Sequence, residues 1–447
     1  MFSKLFGFSN ERNFLKWTKD LNFDCKTTQA LKTVRFPIPK QVRIHMNQHG
    51  EIPCVPMVKK GDEVKVGQVI AVRNEFPTAL IHASIFGRVT KIGDALLENG
   101  IKTKEVIIEA DELQSIDPEI KPPLIHHKQD FIKALEKSGI VELNTTDFWR
   151  AIEEGVASIG TLLVNATLLE PFVATSIREI LESPDDVLKG MAVLMKQLNI
   201  EKGIIGIEHN QIESVACLKA ILANESQKYA NISLKLLTSS YSSGLTQRLI
   251  QACGEGLLEN NILVLNVATV GMLSRYLETG MPVIDVSVSV NGSAVSEPKN
   301  VLVPIGAPIK DVIAFCGGYK AVPKKILLGG PLMGTAVLSD EVTVSKQTTA
   351  LFALDKKEAE VKEETECIRC ARCIQVCPMK LMPISIDQSV RYNQLDALTV
   401  LNLAACALCG SCSCVCPASR HLVQTIRLGQ SLLKREVLSQ PVEKGVV

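Results

Sequence analysis

The sequence predicts a multidomain protein of α+β and α/β class, with β modules first, an α/β sheet domain next and a cysteine-bound module last. Three observations predict it. The chain has 447 residues, the length of about three domains at typical sizes. Alternating apolar runs around turn glycines fill its first quarter, and strand-like and helix-like patterns then alternate. Nine of its 14 cysteines fall between Cys367 and Cys416.

Composition narrows the class. Apolar residues make up 46% of the chain, enough for real cores and too many for wholesale disorder. Basic and acidic side chains number 49 and 48, so nothing in the charge favours nucleic acid as a partner. The longest apolar stretch, Ile262 to Leu273, is far short of the roughly 20 residues of a membrane span. Met1 to Asn10 has no apolar segment followed by a cleavage site, so no secretory signal is expected. The expected location is the cytoplasm, with peripheral docking on the cytoplasmic face of a membrane complex still open.

Residues 1–34 read as a leader with a partly amphipathic stretch. Residues 35–118 read as β. In Lys59 to Gln68, alternating valines flank Gly61 and Gly67 as in a hairpin, and Ile81 to Val89 follows as a second strand pair. This pattern resembles the barrel-sandwich hybrid of biotinyl and lipoyl carriers. The stretch Arg73 to Leu80 lacks the lysine those carriers present, so the module is expected to be structural. His82 reads as a core or turn histidine.

Residues 119–284 alternate strands and helices. Strands are expected at Thr161–Val164, Gly203–Ile207, Ser233–Leu237 and Ile262–Val267, and helices at Asp130–Lys137, Pro184–Leu198, Ile212–Asn224 and Thr246–Cys253. Pro184 suits a first helical turn, with Ser183 as its cap. Residues 285–350 return to short β elements: Asp285–Asn291, Asn300–Pro304, a helix at Ile309–Cys316, and the turn-rich loop Gly329–Gly334.

Residues 351–437 hold the cysteine cluster, and 438–447 read as a flexible tail. Cys367, Cys370, Cys373 and Cys377-Pro378 form one run; Cys406, Cys409, Cys412 and Cys416-Pro417 form another. Both fit C-x2-C-x2-C-x3-C-P, the bacterial ferredoxin pattern for [4Fe–4S] clusters, in which the fourth cysteine serves the other cluster. The expected ligand sets are therefore Cys367, Cys370, Cys373 and Cys416, and Cys377, Cys406, Cys409 and Cys412. Three thiolates two residues apart can curl one loop around three irons. The fourth cysteine is expected to start the next helix, with proline in its first turn. Zinc also accepts paired C-x2-C, though its sites rarely use a third cysteine at that spacing and a fourth before proline. Cys414 is an extra thiol beside the second run. Ser385 to Ala405 and His421 to Glu436 read as helices. Cys25, Cys54, Cys217, Cys253 and Cys316 read as small packing residues.

Taken together, the segments Lys59–Gln68, Ile81–Gly87, Ile205–Asn210, Val301–Gly318 and Gly329–Gly334 and the paired cysteine runs resemble the RnfC-like family of the Rnf electron transport complex. That family's relatives include the cobalamin reductase of propanediol microcompartments and the proline-reductase-associated electron transfer protein. The resemblance implies a barrel-sandwich hybrid, an α/β domain like the flavin-bearing part of complex I, a β-grasp (SLBB-like) module and a dicluster ferredoxin domain. It also implies FMN and NADH in the α/β domain, held by a G-I-V-G-x-G-G-A-G-F-P-T hallmark. Here that stretch runs Gly139-Ile140-Val141-Glu142-Leu143-Asn144-Thr145-Thr146-Asp147-Phe148-Trp149, with Glu142, Asn144, Thr145 and Asp147 where the family has glycine. The family's N-x-x-E-C-E-P becomes Asn165 to Pro171, keeping Asn165 and Glu170 but replacing the first acid with Leu168. Its Y-P-x-G-G-E becomes Tyr241 to Thr246, keeping Tyr241 and Gly244 but losing the second glycine and the acid. Bulk and negative charge at a phosphate site oppose binding.

The expectation is a carrier that passes electrons between protein redox partners through two [4Fe–4S] clusters, with FMN and NADH lost and no independent dehydrogenase activity. No catalytic acid, base or nucleophile emerges. The alternatives are an ordinary NADH-oxidising flavoprotein of such a complex and a structural adaptor of a redox complex.

Overall fold

The computed structural model describes residues 25–48, 53–73, 80–97, 100–142, 159–168, 170–239, 241–253 and 261–439. The chain forms two compact units, and the described parts are residues 25–359 and 360–439. In the first unit, two small sheets make the barrel sandwich. One orders Gln41–His45, Lys102–Ala110, Gly87–Leu96 and Glu63–Val64; the other orders Val55–Pro56, Val69–Val72 and Ile81–His82. Gly61 and Gly67 take left-handed φ of 98° and 82°, as turn glycines should. The strands on either side of them lie in different sheets, so Lys59–Gln68 is a crossover between layers and not a hairpin. The Arg73–Leu80 stretch lies largely outside the described residues.

The β-grasp sheet orders Thr33–Arg35, Lys299–Pro304, Asp285–Asn291, Ala350–Leu354, Lys325–Leu328 and Thr335–Val337. Thr33 pairs with Asn300, so this sheet recruits an edge strand from the segment read as a leader. Strand Ala350–Leu354 lies between two strands of this sheet and carries it past residue 350. Helix Ile309–Phe315 covers one face. Barrel and β-grasp share a single core, in which Val42, Ile44, Val89 and Ile108 join Val288, Val301, Val303 and Val312.

The α/β domain has its own core, built on Leu162, Val164, Ile205, Leu188 and Val270. Its four strands are all parallel, in the order Ile232–Leu237, Lys202–Glu208, Thr161–Asn165, Ile262–Asn266. Every residue of Thr161–Asn165 is buried, as a central strand covered on both faces requires. Helices Pro184–Leu198 and Val267–Thr279 pack closely because position 190 is glycine: a Cβ there would sit 2.3 Å from the Val270 carbonyl oxygen. Ser183 occupies the cap position before Pro184, but its side chain makes no capping bond. Two helices lie where none is expected, Thr175–Glu182 and Val267–Thr279, the latter starting directly from the strand end at Asn266. Where the chain leaves this domain, Gly280 closes that helix at φ 76°, and its backbone presses against Lys121, where the chain enters.

The second unit is helical around a core of Leu381, Ile386, Leu398, Leu403, Leu422 and Ile426. The single helix expected over Ser385–Ala405 is three pieces, Pro383–Arg391, Leu395–Val400 and the 3-10 turn Leu403–Ala405. Asn393 and Asn402, at φ 54° and 53°, break it in the left-handed conformation that asparagine tolerates best. The fourth cysteine of each run ends a short helix instead of starting one: Cys377 follows Arg372–Val376, and Cys416 follows Ser411–Cys414. The cause is the proline behind it, which pushes Cys377 into extended backbone at φ −67°, ψ 115°. Among the described residues no helix is long and apolar enough to cross a membrane.

Candidate functional site

The two cysteine runs share one backbone design. Left-handed residues recur 39 positions apart: Arg369 with Leu408, Ala371 with Gly410, and Lys380 with Ser419. The first such residue of each run aims its N–H back at that run's first thiol. Arg369 N donates to Cys367 Sγ at 3.4 Å, and Leu408 N donates to Cys406 Sγ at 3.4 Å. Leu381 N likewise donates to Cys377 Sγ at 3.3 Å.

The thiols fall into two groups. Cys367, Cys370, Cys373 and Cys416 line a cavity of about 300 Å³. Burial pushes the Cys377 thiol up, with Cys409 pushing the same way, and Cys377 and Cys409 both act on Cys406 and Cys412. Burial pushes the Cys406 thiol up to about 11, with Cys409 and Cys377 pushing the same way. Burial also pushes Cys412 upward. Such thiols ionise readily only against bound cations. Among the described residues no three His, Cys, Asp or Glu are gathered closely enough for one metal ion. The donor set, sulfur only with amide donors to sulfur, fits an iron–sulfur cluster. Cys414 is half-buried, and burial pushes its thiol up.

An ion-pair network braces the first cavity. Asp387, with a fully buried side chain, accepts Arg391 Nε at 2.9 Å and an Arg420 guanidinium N–H at 2.6 Å. Arg391 also reaches Glu364 at 2.8 Å, and Glu364 accepts the His421 N–H at 2.6 Å. The network ties the approach to the first run to the exit from the second.

The α/β domain's switch point lies between Thr161–Asn165 and Ile262–Asn266, whose last residues pair in register. Ligands of open parallel sheets bind in that crevice, and anions favour a helix N-terminus there. Here the cap residue of Val267–Thr279 is already bonded to an acidic side chain of this chain. Asn266 donates its backbone N–H to Glu142 Oε2 at 3.1 Å, and its side-chain amide to Glu142 Oε1. Glu142 is one of the residues standing where the family has glycine, and it is only 3% exposed.

The other described residues of the expected pocket are also engaged within the chain. Asn165 donates to the Gly244 carbonyl at 2.8 Å, and its oxygen accepts from Thr167 N and Oγ1. Tyr241 is buried in the same short 3-10 turn as Gly244. Glu170 turns away toward the β-grasp loop and accepts the N–H groups of Gly330, Leu332 and Met333, each at 2.9 Å. A Cβ at Gly330 would lie 2.3 Å from the Glu170 carboxyl carbon, so the loop needs glycine there. Burial pushes the Glu170 carboxyl up, and the three amides pull it partly back. Gly139 caps helix Lys128–Ser138 at φ 70°, and its carbonyl accepts Lys346 Nζ at 2.6 Å. Asn144 and Asp147 lie outside the described residues.

Sequence reasoning missed Asn266 and Lys346. Lys346 also donates to the Leu80 carbonyl at 2.7 Å, tying barrel, α/β domain and β-grasp together. Burial pulls its amine down to about 7. His82 lies beside it, pulled down to about 3 by burial and by the Lys346 charge. Of the scattered cysteines, Cys54 and Cys316 are buried packing residues, while Cys217 and Cys253 are half-buried; the side chain of Cys25 lies outside the described residues.

Known proteins match this architecture in chain order. The RnfC barrel sandwich hybrid domain matches residues 22–113, the Nuo51 FMN-binding domain 136–275 and the SLBB domain 287–336. The C subunit of the Na(+)-translocating ferredoxin:NAD(+) oxidoreductase complex of Acetobacterium woodii is 31% identical, over 90% of this chain and 92% of its own. Its counterpart in the proton-translocating ferredoxin:NAD(+) oxidoreductase complex of Clostridium ljungdahlii is 34% identical, over 83% of this chain and 86% of its own. The counterpart in the ion-translocating oxidoreductase complex of Methanosarcina acetivorans is 31% identical, over 91% and 94%. With its barrel sandwich, flavin-subunit fold and SLBB domain in that order, the chain belongs to the RnfC-like family of ion-translocating oxidoreductase complex subunits.

Proposed function

We propose that this chain is an electron-transfer subunit of an Rnf-type complex that holds two [4Fe–4S] clusters and has given up flavin and nicotinamide chemistry. The observation that carries the reading is the pair of four-thiol groups. Cys367, Cys370, Cys373 and Cys416 would hold one cluster, and Cys377, Cys406, Cys409 and Cys412 the other. Each cluster supplies one-electron storage at a potential set by burial and hydrogen bonds to sulfur. The chain's part is to hold the irons through thiolates. It also points the Arg369, Leu381 and Leu408 amides at sulfur, and it keeps water from the buried second group.

The loss of flavin is supported by Glu142, whose carboxylate sits on the helix N-terminus where a cofactor phosphate would be received. Asn165 and Glu170, retained from the family motif, are spent on bonds within the chain. In this reading the donor and acceptor are proteins on the cytoplasmic face of the complex, and the chain has no dehydrogenase activity of its own. The match to an FMN-binding domain over residues 136–275 favours a second reading, an NADH-oxidising flavoprotein subunit of such a complex.

Anaerobic reconstitution followed by iron, sulfide and flavin analysis separates the two. About eight irons per chain without flavin is expected; stoichiometric FMN with NADH-dependent bleaching of the clusters sinks the proposal. Two variants then test the ligand sets. Cys416→Ser should halve the iron and leave the buried group's signal, and Cys377→Ser should halve it and leave the other.

A further inference from the structure

The two cysteine runs keep one backbone design 39 positions apart, but their side chains part company just beyond the fourth cysteine of each. Leu381 follows Cys377 by four residues, and its place in the repeat is taken by Arg420 after Cys416. Leu381 is buried in the core of the unit, with its N–H on the Cys377 thiol. Arg420 instead lines the cavity of about 300 Å³ shared by Cys367, Cys370, Cys373 and Cys416. One thiol group therefore has an apolar side chain at this place, and the other has a guanidinium.

That guanidinium is held at one end and unsatisfied at another. A terminal N–H donates to Asp387 Oδ2 at 2.6 Å, and the Arg391 Nε–H donates to Asp387 Oδ1 at 2.9 Å. The Arg420 side chain is only 15% exposed, and its Nε is buried with no hydrogen-bond partner. A buried N–H on a cation is costly to leave unpaired, so its place in the fold implies an acceptor. Sulfur already plays that part in this unit, where backbone N–H groups reach Cys367, Cys377 and Cys406. Net charge is not what Arg420 adds, because Arg391 and Arg420 are matched by Asp387 and Glu364. Arg369, Arg372 and Gln388 line the same cavity, but all three are exposed, where water competes for their N–H groups.

We propose that Arg420 donates its Nε–H to a sulfur of the cluster held by Cys367, Cys370, Cys373 and Cys416, and so raises that cluster's potential. The inference rests on the reading of those four thiols as a [4Fe–4S] site, and it names the residue that tunes it. Reduction adds negative charge to the cluster, so a donor fixed on its sulfur favours the reduced state. Asp387 is the positioning residue, holding the guanidinium in place from its far end. Leu381 has no side-chain donor to offer, so this one pair of positions tunes the two clusters apart.

The test uses the reconstituted full chain, with the clusters told apart by Cys377→Ser and Cys416→Ser. Arginine isotopically labelled at Nε alone is incorporated, and pulsed spin resonance is recorded on the reduced first cluster in the Cys377→Ser background. A nitrogen coupling should appear, and it should vanish in Arg420→Lys, which keeps a cation for Asp387 but has no nitrogen at that position. Potentiometric titration of Arg420→Lys should show the first cluster's electron affinity fall about tenfold, or about 59 mV for a one-electron couple, with the second cluster's midpoint unmoved. Arg420→Gln places an amide N–H at the Nε position without the charge and should recover most of the shift. Iron content is measured on each variant, and Arg420→Met replaces the lysine variant if that one loses iron. The proposal is overturned by a missing Nε coupling in the chain that keeps Arg420, or by an unmoved midpoint in an iron-replete lysine or methionine variant. A glutamine variant with a midpoint as low as the lysine one overturns it too. A wild-type chain with no reducible iron–sulfur signal instead refutes the reading beneath it.

Discussion

Replacing Glu170 tests whether this residue now serves to clamp the α/β domain to the β-grasp module. Its carboxylate accepts three backbone N–H groups from one loop, each at 2.9 Å. A hydrogen bond to a charged group is worth roughly 1.5–3 kcal/mol net when its partner is removed inside the protein. The Gly330 N–H is buried, while those of Leu332 and Met333 are partly open to water, which recovers some of the loss. Glu170→Ala should therefore destabilise the first unit by about 3–5 kcal/mol. Glu170→Gln keeps one acceptor oxygen and should cost about half of that. The wild-type carboxyl has its pKa raised in the fold. Its contribution is thus full below the unfolded carboxyl range near pH ~4.3 and declines as pH rises through the folded value. The glutamine variant lacks that slope, so its deficit should shrink as pH rises above the unfolded carboxyl range. The assay is urea unfolding of the full chain together with hydrogen exchange over residues 325–337. An alanine variant that unfolds at the wild-type midpoint, with the loop amides as protected as before, would refute the clamp.

Other perturbations follow from the same geometry. Ala371 is left-handed at φ 58° where the sister loop has Gly410, so Ala371→Gly should raise stability by roughly 0.5–1 kcal/mol, read as a higher melting temperature of the reconstituted chain. His82 is held neutral, with its pKa pulled to about 3. Stability tied to it is complete above the unfolded value near ~6.5 and is lost as pH falls toward the folded one, by about 2–3 kcal/mol at pH 4.5. His82→Gln should remove that acid-side loss in unfolding curves taken at pH 7 and pH 4.5.

Periodicity carried much of the α/β domain. Helices Pro184–Leu198, Ile212–Asn224 and Thr246–Cys253 have the ends their apolar spacing and flanking residues suggest. Helix Val267–Thr279 was hidden because it leaves the strand end at Asn266 with no turn residue between, so strand and helix merge into one apolar run. The breaks in the second unit were hidden because asparagine reads as an indifferent helix residue until its backbone turns left-handed. Lost glycines could be read at Glu142. What its carboxylate does could not, because its partner Asn266 is 124 residues away and meets it only through the fold. Glu170 poses the opposite difficulty, since a residue kept from a motif looks functional whether it faces a ligand or a neighbouring loop.

The shared core of barrel and β-grasp, with Lys121 and Gly280 side by side, makes the α/β domain an insertion. The chain leaves a half-built core, makes a self-contained excursion with its own hydrophobic centre, and returns almost to its point of departure to complete the first core. The excursion enters and leaves at one gate, and side chains such as Glu170 and Lys346 fasten it to the frame elsewhere. Excising it behind a short linker should leave a frame that still folds.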